Sequence, residues 1–200
     1  MGGKTAVGGL RAGVEPFIEQ LAAPTATPGG GSAAAASGAM AAGLASMVAS
    51  MSRGKKAYLQ YEPELSEAIA RLAGLREELK TAIDADSESY NAVMKAYKAA
   101  KESADAKSLI NAALREASRV PLGVAERAAE ITTMAAKLGP MTSPMMKSDL
   151  TTAIALAGAA IKGALANVEI NLDSIEAGSA EDEVFLSQTR ARAEELETFC

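Results

Sequence analysis

From Gly29 to Met51 the chain reads GGGSAAAASGAMAAGLASMVASM, without one charged side chain. Few folds accommodate such a run. Ala, Met and Leu are strong helix formers and Val48 is the lone β-branched residue, so the spacing predicts a helix over Ala33–Met51. By length it could span a bilayer, which takes about 20 residues. Its content argues otherwise. Small residues dominate, and only Leu44, Val48 and three methionines are strongly hydrophobic. No aromatic belt flanks the run, and the only nearby basic cluster is RGKK at 53–56. No second comparable run is apparent, and no membrane association is expected. A helix apolar on every side belongs in an interior. Ser37, Gly38, Ala41, Ala42 and Ala45 would let backbones approach closely, at the centre of a bundle or at a subunit seam. A homodimer is expected on that ground.

Pro28, Gly29, Gly30, Gly31 and Ser32 lead into this helix. Two readings fit. Glycines can aim backbone N–H groups into a concavity, and a helix N-terminus favours an anionic or electron-rich ligand. Alternatively the segment is a tight turn with Ser32 as N-cap.

The rest of the chain is helical by pattern. Strand signals are almost absent. Apolar residues recur at helical spacing over Val14–Ala22, Pro63–Tyr97, Asp105–Ser118, Leu122–Leu138, Asp149–Ile175 and Glu181–Phe199. Pro121 fits the first turn of its helix, where a missing N–H is harmless. Ser148 reads as an N-cap after the linker GPMTSP at 139–144. At 200 residues, the expected architecture is all-α: one dimeric, up-and-down bundle with long central helices over 14–200, behind a flexible tail at 1–13. Gly-Gly-Lys-Thr at 2–5 shares the end of a phosphate-binding loop, but neither the upstream glycine nor a strand stands ahead of it. The N-terminal stretch has no apolar targeting core, so a cytoplasmic location is expected.

Composition narrows the chemistry. A net charge of −5 argues against nucleic-acid binding through a general basic field. There is no His, and the single Cys is Cys200. That removes Ser-His triads, intrachain disulfides and the commonest metal ligands. Catalysis has to rest on Asp, Glu, Lys, Tyr or backbone groups.

One carboxylate stands out. At about 100° per residue, Leu72, Leu75, Leu79, Ile83, Tyr90, Val93 and Tyr97 form one apolar stripe, with Asp84 and Glu88 on the opposite side. Asp86 falls inside the stripe. An ionised carboxylate there is costly unless it is paired or lies in a polar cavity. It is either a structural group that caps another helix or meets a cation, or a desolvated acid or base. On the helix over 149–175, Asp149, Asn167 and Asn171 share one face with small residues, and together they read as a pocket wall. Asn amides can read a heterocycle through paired donors and acceptors. In SRGKKAY at 52–58, Arg53, Lys55 and Lys56 either complement a helix C-terminus or hold a substrate carboxylate.

These residues carry a family resemblance. PTATPGGGSAAAASGAMAAGLASMV, GKKAY, IDADSESYNAVMKAY, VPLGVAE, SDL and ALANVEINL follow in order across about residues 14–175. They resemble the cyclodeaminase–cyclohydrolase family, the C-terminal domain of formiminotransferase-cyclodeaminase and its free-standing bacterial relatives. Two segments depart from that pattern: YKAAKES where relatives carry Leu-Pro-Lys, and LGPMTSPMMKSD where a Gly-Asn step is usual. The resemblance implies an all-helical, usually dimeric enzyme that takes a tetrahydrofolate derivative as substrate, with no permanently bound cofactor and no metal. The family's catalytic Asp is the second of the Asp-x-Asp pair and falls on Asp86, the residue the helical wheel also selects. The resemblance points to Lys56 as a second catalytic group, a proton donor or tail ligand. Gly29, Gly30, Gly31, Ser32, Lys55, Tyr90, Asp149, Asn167 and Asn171 would bind substrate.

The expected reaction is closure of 5-formiminotetrahydrofolate to 5,10-methenyltetrahydrofolate with loss of ammonia. The alternative is hydrolysis of 5,10-methenyltetrahydrofolate to 10-formyltetrahydrofolate. A third reading, from another class, is a non-catalytic helical bundle that binds a folate or a protein partner.

Overall fold

The computed structural model describes residues 9–200, which form six α-helices and no strand. They are α1 (Gly9–Ala22), α2 (Gly30–Ser52), α3 (Glu62–Ala100), α4 (Ala106–Leu138), α5 (Lys147–Asp173) and α6 (Ala180–Glu197). Short 3-10 turns occupy Lys56–Tyr61, Gly139–Met141 and Pro144–Met146. Residues 9–13, expected in the tail, open α1. The Gly-Gly-Lys-Thr at 2–5 lies outside the described residues.

Helices α2 to α5 make an up-and-down four-helix bundle. Each packs on its chain neighbour, and α2 also packs on α5 and α4. Alanine dominates the seams. Ala35, Ala41, Ala42 and Ala45 of α2 are fully buried, against Leu72, Leu75 and Leu79 of α3 and Ala153, Ala157 and Ala160 of α5. Gly38 marks a close three-helix contact: a Cβ there would lie 3.2 Å from Leu79 and 3.6 Å from Ala160. Gly54, at φ 74°, turns the chain out of α2 in a left-handed conformation that suits glycine.

Three expectations are corrected here. First, the helices expected at Asp105–Ser118 and Leu122–Leu138 are one continuous helix, α4, with Pro121 buried in its interior. Proline there removes the N–H that would bond the carbonyl of Ala117. Asn171 of α5 supplies the missing donor, its Nδ2 lying 3.1 Å from that oxygen. Replacing Asn171 by Leu should therefore cost about 1–3 kcal/mol, since a buried carbonyl loses its only replacement partner. In a Pro121→Ala background, where the backbone N–H returns, denaturant melts should show a smaller loss.

Second, α2 is not buried on every side. Met40, Met47 and Met51 are 53%, 40% and 49% exposed. Composition hid this, because both faces of α2 are apolar. Two helical stretches, not one, are long and apolar enough to cross a membrane, Gly30–Ser52 and Pro144–Asp173. Third, Ser148 lies inside α5 rather than at its cap. Ser143 instead caps the 3-10 turn ahead of it, accepting from the Met145 N–H.

Helix α6 is held by a buried polar latch. Ser179 caps it, and Asp182, 4% exposed, accepts from Ser179, from Asn111 at 3.0 Å, and from Arg115. Burial alone would raise the Asp182 carboxyl, but the bonds from Ser179, Asn111 and Arg115 outweigh it and hold it below the usual carboxylate range. With a depressed folded pKa, its stabilisation is complete at neutral pH. It begins to fade below the ordinary value, about 3.9, and is gone once the pH has fallen through the folded value. Asp182→Asn should flatten the acid limb of a stability-versus-pH curve, measured by urea melts.

Candidate active site

Asp86 lies on α3, half-buried, facing the first turn of α2. The α2 N-cap is Gly29, which has no side chain to satisfy the helix's free N–H groups. The Asp86 carboxylate does this from across the bundle. Its Oδ2 accepts from the Ser32 amide at 2.8 Å and lies 3.0 Å from the Ser32 hydroxyl. That hydroxyl's single proton is shared with the Ile83 carbonyl, 2.8 Å away. Ser32 is thus not the N-cap but the clamp on Asp86. The positive end of a 23-residue helix adds to the attraction.

The capping reading of Asp86 is met by one oxygen alone. Oδ2 caps α2. Oδ1 accepts no hydrogen bond among the described residues, and it is not a sealed orphan, since no buried side-chain polar atom lacks a partner. One oxygen is held and the other is available. Gly31 makes the fit possible: a Cβ there would sit 2.0 Å from Oδ1 and 2.5 Å from Cγ. Asp84 and Glu88 are exposed, as the helical wheel predicts.

Part of the predicted set gathers here. Gly29, Gly30, Gly31 and Ser32 form the entry of α2. Asn167 of α5 adjoins it, its amide nitrogen 3.4 Å from where a Gly30 Cβ would stand. That amide donates back to Gly163 at 2.7 Å. Tyr90 lies one turn along α3 from Asp86. It was expected within the buried stripe, yet Tyr90 is 41% and Tyr97 40% exposed, because α3 outruns the N-terminus of α2 at this end.

The rest does not gather. Asn171 spends its amide on Ala117, so the expected pocket wall of Asp149, Asn167 and Asn171 does not form. Lys55 and Lys56 are exposed at the far end of α2, which at about 1.5 Å per residue is roughly 34 Å long. Asp149 opens α5, roughly 27 Å along that helix from Asn167 by the same rise. Since α5 runs antiparallel to α2, with Gly30 beside Asn167 and Gly38 beside Ala160, Asp149 is at the lysine end. A cleft of about 620 Å³ lies between α5 and α6, lined by Leu165, Glu169, Arg190 and Glu197, and Asp86 takes no part in it.

Long helices packed through alanine, with a carboxylate clamped against a glycine-led helix, define an all-α bundle with a candidate acid–base group at one end. Residues 13–195 match the family model described as formiminotransferase-cyclodeaminase, and the chain belongs to that family. It is 35% identical over 167 residues to a methenyltetrahydrofolate cyclohydrolase of Methylorubrum extorquens, covering 82% of this chain and 80% of that one. It is 32% identical over 184 residues to the formimidoyltransferase-cyclodeaminase of Sus scrofa, covering 90% of this chain but only 33% of that longer protein. The crystal structure of formiminotetrahydrofolate cyclodeaminase from Thermotoga maritima superposes with a TM-score of 0.84 at 31% identity, covering 93% of this chain and 88% of that one.

Proposed function

We propose that the protein is an enzyme acting at the one-carbon bridge between N5 and N10 of tetrahydrofolate, and that its reaction is cyclodeamination of 5-formiminotetrahydrofolate. The observation that carries this reading is the Asp86 carboxylate, held through Oδ2 by Ser32 while Oδ1 stays unbonded. The carbon of the protonated formimino group is attacked by N10, giving a tetrahedral carbon bonded to N5, N10 and an amino group. Loss of ammonia leaves the methenyl cation. The N10 proton ends on the departing ammonia, so one carboxylate oxygen can take it from one nitrogen and return it to the other. The same fixed negative charge stabilises the cation that forms. Likeness across nearly the whole of the Thermotoga cyclodeaminase supports the deaminase reading.

The second reading, hydrolysis of the methenyl compound to 10-formyltetrahydrofolate, is favoured by the 35% identity to the Methylorubrum cyclohydrolase. There Asp86 would take a proton from the attacking water as the C–N5 bond opens. Either way the protein acts in the cytoplasm as a homodimer, without a resident metal. A paired absorbance assay tests the proposal. Enzyme-dependent appearance of the methenyl band from 5-formiminotetrahydrofolate, with ammonia release, supports deamination. Enzyme-dependent loss of that band from the methenyl compound supports hydrolysis. Folate binding without either change overturns an enzymatic role.

A further inference from the structure

We infer that the far end of α3 binds the tail of the substrate. The exposed strip Tyr90–Met94–Tyr97 runs on from Asp86 past the end of α2 and seats the aminobenzoyl ring attached at N10. Lys98 and Lys101, at the end of the strip, take the glutamate carboxylates beyond that ring. This deepens the proposed function and rests on Asp86 standing at the N5–N10 bridge.

Three observations carry it. The first is an uncovered face. At about 100° per residue, Leu79, Ile83, Asp86, Tyr90, Met94 and Tyr97 fall on about one third of the α3 surface. As far as Asp86, α2 covers that third. Leu79 lies against Gly38, and the Ile83 carbonyl accepts from Ser32. Helix α2 begins at Gly30, beside Asp86, so the next three large side chains on the same face are left exposed. A ligand whose reacting atoms meet Asp86 has α2 in one direction along α3 and this open strip in the other. The second observation is the chemistry of the strip. Two tyrosine rings and a thioether, one turn apart, suit a flat aromatic guest, through offset ring contacts and sulfur–ring contacts. Three adjacent exposed apolar side chains beside a reacting group are also what a binding surface looks like.

The third is charge. Lys98 and Lys101 stand roughly 18 and 22 Å along α3 from Asp86. Both are exposed, and among the described residues the lysines in ion pairs are Lys80 and Lys107 instead. Glu88, the acidic residue that follows Asp86 on α3, falls on the opposite side of the helix. Lysines near a helix C-terminus complement its dipole wherever they occur. These two also close a strip that opens on the reacting carboxylate. In a chain of net charge −5, cations are thus placed where an anionic tail would end.

Steady-state kinetics with two substrates test this: the folate that is turned over, and its analogue that ends at the aminobenzoyl group without glutamate. The double variant Lys98→Ala, Lys101→Ala should raise KM for the full substrate about 3- to 10-fold, the size of two exposed charge pairs. Its kcat should move far less, and KM for the truncated analogue should stay at the wild-type value. Added salt should narrow the wild-type preference for the full substrate. Tyr97→Ala should raise KM for both substrates by a similar factor, because ring contacts are lost in each. Lys95→Ala, on the opposite side of α3, is the control and should match wild type. An unchanged KM for the full substrate in either the lysine or the Tyr97 variant overturns the inference. So does an equal rise for both substrates in the lysine variant. Calorimetric binding of 5-formyltetrahydrofolate separates this inference from the proposed function. Tail-dependent binding without turnover of either folate keeps the strip and sinks the enzymatic reading. Turnover with the same affinity in wild type and the lysine variant keeps the enzymatic reading and sinks the strip.

Discussion

Asp86→Asn is expected to lower kcat by about 10²- to 10⁴-fold, the range supplied by a positioned acid–base group, while the bundle stays folded. The substitution separates the two duties of the residue. The Asn oxygen can still accept from the Ser32 amide, so the cap on α2 persists in neutral form. Exchanging a charged acceptor for a neutral one costs about 1 kcal/mol, a fall in Tm of roughly 2–4 °C for a chain of this size. The Asn amide cannot take a proton from N10 or from water. Loss of turnover with a near-native melt supports the catalytic reading. Unchanged turnover with an intact melt shows that Asp86 only caps α2.

Gly31→Ala should be nearly as damaging, for a reason that runs against local propensity. Alanine is favoured over glycine in a helix by about 1 kcal/mol, and position 31 is in the first turn of α2. In this fold the added methyl would stand 2.0 Å from Asp86 Oδ1 and 2.9 Å from Oδ2. The carboxylate or the α2 N-terminus has to move. A displacement of about 1 Å costs on the order of 10²-fold in rate, and the bonds from Ser32 lengthen with it. Gly158→Ala is the matched control, because a Cβ there meets nothing within 4 Å. Kinetics and melts on the pair decide the matter. If Gly31→Ala turns over like Gly158→Ala, the clamp geometry has no catalytic role.

The selection of Asp86 over Asp84 was legible in the sequence because both lie on one unbroken helix. Angular position on a helix depends only on the residues between two points, and the wheel that put Leu72, Leu75 and Leu79 inward also put Asp86 there. Pro121 was not legible. By local rules it belongs at a helix start, and only the Asn171 amide, arriving from another helix, lets it stand in the interior of α4. Neither was the two-sided nature of α2, whose buried alanines and exposed methionines are all apolar. One signal was available: Met40, Met47 and Met51, the large residues of the run together with Leu44 and Val48, recur on one side of the helix.

The sequence by itself determined an all-helical chain, a glycine-led apolar helix and the face on which Asp86 stands, since backbone propensity and helical angle are local properties. The tertiary structure decided the rest. Only packing put Ser32 against Asp86, so that one carboxylate oxygen is held and the other stays unbonded. Only packing gave Asn171 to Ala117, and only the rigid length of α2 set Lys56 and Asp86 at opposite ends of the bundle. The level at which two helices meet depends on how they interdigitate, and that is a property of the pair, not of either segment.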